Sequence, residues 1–203
     1  MSATPRSHDR LHLIAIGANN CGSLSANRRA VAHAAKRLAQ SFSVLRTSSA
    51  WRSPAWPPGS GPDFVNAVVA GHSALSPEAM LARLHAIEAR AGRVRLRRWG
   101  PRVLDLDLLA SGGLVRPDPA TLRTWIDLPA KDQSRCAPDR PIVPHPRLAD
   151  RAFVLLPLAE VAPGWRHPTT GRRAADMAAA LPRAARQQMR RLPGPLAGPP
   201  RPR

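Results

Sequence analysis

The chain has no tyrosine, three phenylalanines and only two cysteines among its 203 residues. Cys21 and Cys136 stand far apart, with no CxxC and no compact histidine cluster, so neither a disulfide framework nor a structural zinc site is indicated. No stretch of eighteen apolar residues occurs, which excludes a membrane-spanning helix. The opening residues "MSATPRSHDR" lack the apolar segment of a secretory signal, and a reducing cytoplasm is the expected address. No P-loop, no G-x-G-x-x-G after a strand and no G-x-S-x-G elbow is found, so the common phosphate cradles and the hydrolase nucleophile turn are missing.

Lysine is nearly absent too, at Lys36 and Lys131 only, yet the formal net charge is +18. The surplus is therefore arginine. Such a balance suits a polyanionic partner, either nucleic acid or a small phosphorylated ligand. It also suits a plain compositional bias, for an Ala-, Arg- and Pro-rich chain acquires arginine everywhere. The placement of the charges is more telling than their sum.

The length allows one substantial domain, and 43% apolar residues are enough for a core. Residues 1–10 are expected to be a flexible N-terminus, 11–181 the folded domain and 182–203 a disordered Arg/Pro-rich tail. "LHLIAIG" (Leu11–Gly17) reads as a buried strand stopped by glycine. From about Ser25 to Gln40, Ala30, Val31, Ala34, Ala35 and Leu38 recur at helical spacing. "FSVLRTSSAW" and "DFVNAVVAGHSAL" are β-favouring, parted by the loop "RSPAWPPGSGP". Ser76 is a good N-cap, Pro77 suits the first helical turn, Met80, Leu84 and Ile87 share a face, and Gly92 suits the C-terminal turn. "RVLDLDLLA" then reads as a strand. The order β-α-β-β-α-β predicts a ferredoxin-like α+β sandwich with an antiparallel sheet and additional C-terminal elements. Residues 111–141 are expected to be an irregular insertion, and "VPHPRLADRAFVLLPLAEVAP" short helical and extended pieces packed on the sheet.

Chemistry concentrates in "GRVRLRRWGPRVLDLDLL" (Gly92–Leu109). Side chains alternate along a strand, so Asp105 and Asp107 share one face about 7 Å apart, while Leu104, Leu106 and Leu108 point the other way. Two such carboxylates are hard oxygen ligands suited to Mg²⁺, which favours one or two carboxylates plus phosphate oxygens and water. They also suit the solvated face of a half-buried strand. Arg93, Arg95, Arg97, Arg98 and Arg102 lead into this strand, and guanidinium forks beside a metal are what phosphoryl transfer requires. A basic surface loop balanced by two acids is the competing reading.

The segment resembles the signature of the 6-hydroxymethyl-7,8-dihydropterin pyrophosphokinase family (2-amino-4-hydroxy-6-hydroxymethyldihydropteridine diphosphokinases), loosely Gly-Arg…Arg-Trp-Gly-Pro-Arg…Asp-x-Asp. "IAIGANNCG", "SPAWPPGSGPDFVNA" and "VPHPRLADRAFVLLPLAEVAP" are similar to that family in the same order, across about Leu11 to Pro168. The resemblance implies transfer of pyrophosphate from ATP to 6-hydroxymethyl-7,8-dihydropterin in folate biosynthesis. It implies Asp105 and Asp107 as ligands of two Mg²⁺ ions, and Arg93 and Arg102 at the transferring phosphoryl groups. Arg95, Arg98, Trp99, His145 and Arg151 fall on ATP-side positions. Phe64 and Phe153 fall where the pterin ring is stacked, Asn66 on its polar edge, and Ser53, Pro54 and Trp56 along the same pocket. A flat heterocycle wants aromatic faces, and an amide matches its mixed edge. Ser53 stands where the family often has threonine, Ala18 where serine is commoner, and His85 where glutamine is found. The expected partners are the two small substrates, for a monomer without membrane or specific nucleic-acid contacts.

A basic nucleic-acid-binding module on a ferredoxin-like sheet is the competing class. It calls for aromatics on the sheet face with interleaved arginine, and the RNA-binding signature K/R-G-F/Y-G/A-F-V-x-F/Y is absent.

Overall fold

The computed structural model describes residues 9–55, 59, 61–92, 103–129, 132, 136 and 138–196. A six-stranded antiparallel sheet carries the fold. Its strands are β1 (Arg10–Ala18), β2 (Val44–Thr47), β3 (Trp51–Ser53), β4 (Phe64–Ser73), β5 (Asp105–Ser111) and β6 (Arg190–Arg191), in the order β5-β1-β4-β3-β6, with β2 also on β4. Two helices, α1 (Leu24–Ala39) and α2 (Pro77–Arg90), complete the β-α-β-β-α-β unit. This is the ferredoxin-like arrangement that the element order predicts.

Local chemistry explains the helix ends. Ser23 and Ser76 cap α1 and α2, their hydroxyls accepting from the N–H groups of Ala26 at 3.1 Å and Ala79 at 3.2 Å. Gly92 follows α2 at φ +81°, a conformation in which a Cβ is strained.

Strand alternation sorts the core into two layers. Ile14, Ile16, Val65, Ala67, Val69, Leu106 and Leu108 face α1 and α2, meeting Val31, Leu38, Met80, Leu84 and Ile87. Leu13, Val68, Ala70 and Leu109 face the opposite side. There they are covered by α4 (Ala152–Val161), α5 (Ala174–Ala179) and neighbouring turns, through Val154, Leu155, Leu158 and Met177. Each fully buried Leu or Ile contributes about 1.5–3 kcal/mol. Gly71 sits under the Phe42 ring, where a Cβ would fall 2.6 Å from a ring carbon.

Four expectations require correction. The single β segment Phe42–Trp51 is two strands, the second running on to Ser53 in the expected loop: Ser48 breaks the ladder, its hydroxyl taking the Val68 N–H at 2.9 Å and donating to the Ser49 carbonyl at 2.8 Å. The insertion is not wholly irregular. It contains α3 (Pro119–Asp127), capped by Asp118, which accepts from the Thr121 N–H at 2.8 Å and the Thr121 hydroxyl at 2.7 Å. Arg116 and Val143 close its base as a two-hydrogen-bond antiparallel bridge. At the N-terminus, residues 1–8 lie outside the described residues, whereas Arg10 opens β1 and the Asp9 carboxylate accepts from the Ser43 hydroxyl.

The tail differs most. Residues 183–196 are structured: α6 (Arg183–Gln187) leads to β6, which pairs with β3, and Met189 and Leu196 are buried. Arg191 also meets Glu160 at 3.3 Å, and the Arg28 guanidinium holds the carbonyls of Gly194 and Pro195. Composition suggested disorder, but long-range burial and pairing hold this segment. Residues 197–203 lie outside the described set.

Candidate functional site

Register brings the site together. Gly17 in β1 lies opposite Asn66 in β4 on one side and Asp105 in β5 on the other, and Asn66 lies opposite Trp51. Residues opposite one another share a face, so Asp105, Gly17, Asn66 and Trp51 form a row across four strands. At about 4.8 Å per strand, Asp105 and Asn66 are roughly 10 Å apart. Asp107 lies in the next row of that face, opposite Ala15, and Phe64 lies two residues before Asn66. The same face is covered further along by α4.

Gly17 keeps the row accessible. A Cβ there would sit 3.4 Å from the Asn66 Oδ1 and 3.7 Å from a Phe64 ring carbon, so any larger side chain would enter the space above the strand. Asn66 is buried and oriented: its Nδ2 donates to the Ser53 Oγ at 2.9 Å, with the Trp51 carbonyl at 3.5 Å. Ser53 is itself buried and serves as the prop that aims the amide, whereas Pro54 is exposed. Beside Phe64, a concavity of about 490 Å³ is lined in part by Asn19, Arg52 and Asp63. A second, about 560 Å³, lies at Thr47–Ser49, Glu160 and Arg191, away from the aspartates.

The other flank is charged. Asp107 and Arg151 are 3.9 Å apart, a partly solvated pair. Arg151 stands over the half-buried Phe153 ring, 5.6 Å from its centroid, immediately before and within the first turn of α4. The "PHP" segment runs beside the end of β5, the His145 N–H donating to the Leu109 carbonyl at 2.8 Å. The His145 Nδ1 accepts the Arg147 N–H at 3.0 Å, which leaves the proton on Nε2 as a donor. Removal from water and then the Arg151 charge push this imidazole down to about 3, although Asp105 pulls the other way. The ring is neutral at physiological pH and acts as a hydrogen-bond donor rather than a cation.

Thus Asp105, Asp107, His145, Arg151 and Phe153 are brought to one flank, and Ser53, Phe64 and Asn66 to the other. Arg93, Arg95, Arg98, Trp99, Arg102 and Trp56 lie outside the described residues. Two residues beside the candidate site are not assigned by the sequence. Gly17 reads from the sequence as a strand-ending glycine within the family-like "IAIGANNCG", yet β1 runs on through it to Ala18. Glu88 was passed over as a charged residue between Ile87 and the helix end, yet it is buried, and its Oε1 accepts the Leu106 N–H at 2.7 Å. Its place one residue after Ile87, beside the apolar face of α2, was the available signal.

The donor set suits a hard cation in company with phosphate. Asp105 and Asp107 offer carboxylate oxygens on one partly open face. Among the described residues, no group of three or more His, Cys, Asp or Glu converges as an all-protein cage. Mg²⁺ is commonly held this way, by one or two carboxylates with substrate phosphates and water completing the shell.

A sheet face with two carboxylates, Arg151 and Phe153 on one flank and an aimed amide beside Phe64 on the other suits a phosphorylated ligand next to a flat heterocycle. The chain belongs to the 7,8-dihydro-6-hydroxymethylpterin-pyrophosphokinase family, whose model matches residues 13–163. It is 42% identical over 137 residues to the 2-amino-4-hydroxy-6-hydroxymethyldihydropteridine pyrophosphokinase of Pseudomonas aeruginosa, covering 68% of this chain and 70% of that protein. It is 39% identical over 135 residues to the protein of the same name from Synechocystis, covering 66% of this chain and 58% of that one. The match therefore spans somewhat under two thirds of the length of some curated relatives. The fold is similar to a Plasmodium falciparum HPPK-DHPS triple mutant with SDX-DHP, at a TM-score of 0.60 and 11% identity, over 90% of this chain and 48% of that one. No described helix is long and apolar enough to cross a membrane.

Proposed function

We propose that this chain transfers the β,γ-diphosphate of ATP to the hydroxymethyl oxygen of 6-hydroxymethyl-7,8-dihydropterin. The pterin oxygen attacks the β-phosphorus, the bond to the α-phosphate oxygen breaks, AMP leaves, and the hydroxyl proton passes to solvent or to a phosphate oxygen. The observation that carries the reading is the row Asp105–Gly17–Asn66, which sets a carboxylate site roughly 10 Å from an aimed amide.

Each residue then has a task. Asn66, held by Ser53, presents Oδ1 to the donor edge of the pterin, and Phe64 and Phe153 supply its apolar faces. Asp105 and Asp107 would hold two Mg²⁺ ions, which would supply electrostatic stabilisation of phosphate charge. The His145 Nε2–H and the Arg151 guanidinium contact nucleotide phosphate. Arg93, Arg95, Arg98 and Arg102 supply further guanidinium forks, Trp99 adds apolar cover that keeps water from the phosphates, and Pro54 and Trp56 line the pterin pocket. The protein works as a monomer in the cytoplasm, where ATP and reduced pterins are available.

The test is AMP release from Mg-ATP with and without the pterin, for wild type and Asp107→Ala. Pterin-dependent AMP that falls by about a hundredfold or more in the variant is expected for an electrostatic contributor of this kind. A folded wild-type protein that forms no pterin-dependent AMP refutes the proposal.

A further inference from the structure

Resting on the reading of Asp105 and Asp107 as metal ligands, we infer that Glu88 is the positioning residue that fixes their spacing, by clamping the strand between them. β5 is the terminal strand of the sheet, with β1 on one side and no strand on the other among the described residues. N–H groups alternate sides along an antiparallel strand, so Asp105 and Asp107 point their amides toward β1 while the Leu106 amide points outward. An outward amide on an edge strand is ordinarily left to water or to another chain. Here it is buried and donates to the Glu88 Oε1 at 2.7 Å.

Glu88 is 2% exposed, close to the C-terminal end of α2 and one residue from the core residue Ile87. A buried carboxylate is costly unless its hydrogen bonds are made, and a charge-assisted bond to a backbone amide is among the stronger kinds. Three consecutive residues are thereby held from both edges: Asp105 and Asp107 by β1, Leu106 by α2. The Leu106 side chain enters the core between the sheet and α2, and the two carboxylates emerge on the opposite face. The Glu88 carboxylate meets this strand at the Leu106 amide, on the edge away from β1. It acts through the backbone that sets the separation and direction of the two aspartates.

Outer partners of this kind commonly alter metal affinity by about tenfold to a hundredfold when removed. The experiment compares wild type, Glu88→Ala, Glu88→Gln and Asp107→Ala. It reads amide exchange at Leu106, the Mg²⁺ concentration that half-saturates binding of α,β-methylene-ATP, and pterin affinity. Glu88→Ala is expected to speed Leu106 exchange and to raise the Mg²⁺ requirement by about tenfold or more with pterin affinity unchanged, while Glu88→Gln, which still offers an acceptor, restores both. A folded Glu88→Ala with the wild-type Mg²⁺ requirement overturns the inference, as does a parallel loss of Mg²⁺ and pterin affinity, which marks general loosening. If Glu88→Ala does not fold, Glu88→Gln decides: a protected Leu106 with the wild-type Mg²⁺ requirement supports the clamp, and a protected Leu106 with that requirement raised overturns it. An unchanged Mg²⁺ requirement in Asp107→Ala overturns the reading of the aspartates, and with it this inference.

Discussion

Acid sensitivity should arise chiefly in the core, and His12 allows its size to be worked out. His12 is fully buried in β1, and neither ring nitrogen has a hydrogen-bond partner among the described residues. The Phe42 ring lies beside it at 6.3 Å, and the Ser111 Oγ, opposite it in register, is equally buried and without a partner among the described residues. Removal from water lowers its pKa from 6.5 to about 4, with Arg10 and His72 adding to the shift. The carbonyls of Leu75 and Ser73 oppose it, though without the geometry of true hydrogen bonds. Because the folded-state pKa lies below the unfolded one, the unfolded chain binds the extra proton. The neutral-imidazole stability is full above about pH 6.5 and is lost as pH falls toward 4. At 1.36 kcal/mol per unit, the loss is about 2 kcal/mol at pH 5 and about 3 kcal/mol at pH 4.

The assay is urea unfolding at about pH 7.5 and pH 5 for wild type and His12→Leu. His145 and His167 are also held below the usual histidine range, so the wild-type loss includes their share and only the difference between proteins isolates His12. His12→Leu should lose about 2 kcal/mol less than wild type over this interval. At neutral pH it should be near wild-type stability, because an unpartnered polar group is replaced by an apolar one. Equal losses in the two proteins would refute the assignment to His12.

Gly17→Val should fold as well as wild type, since β1 is extended there and a β-branched residue suits a strand. Its branches would fill the space beside Asn66 and Phe64, so pterin affinity should fall by about tenfold or more, or about 1.4 kcal/mol, in a calorimetric titration. Unchanged affinity would show that the pterin does not lie over β1. Truncation after Pro182 removes buried Met189 and Leu196 and the β6 pairing, and should cost roughly 3–6 kcal/mol by denaturant unfolding. A truncated protein as stable as the full chain would show that the tail is dispensable.

Much of this molecule can be read locally. The Ser76-Pro77 start of α2 and the alternation that separates Asp105 and Asp107 from Leu106 and Leu108 both depend on residues a few positions apart. A reader of one chain can therefore find them. The Asp118-Pro119 start of α3 was equally local, and was overlooked because the surrounding stretch is rich in charge and proline. The tertiary structure decided what depends on register and distant burial. Gly17 joins the candidate site only because Asn66 and Asp105 lie to either side of it, 49 and 88 residues away along the chain. Glu88 reaches the Leu106 amide only because, among the described residues, no strand pairs with that edge of β5, and Arg190–Arg191 become a strand only by pairing with β3. Side-chain periodicity reports which face a residue takes within its own element, whereas the partners on that face come from chain closure, and no local pattern encodes them.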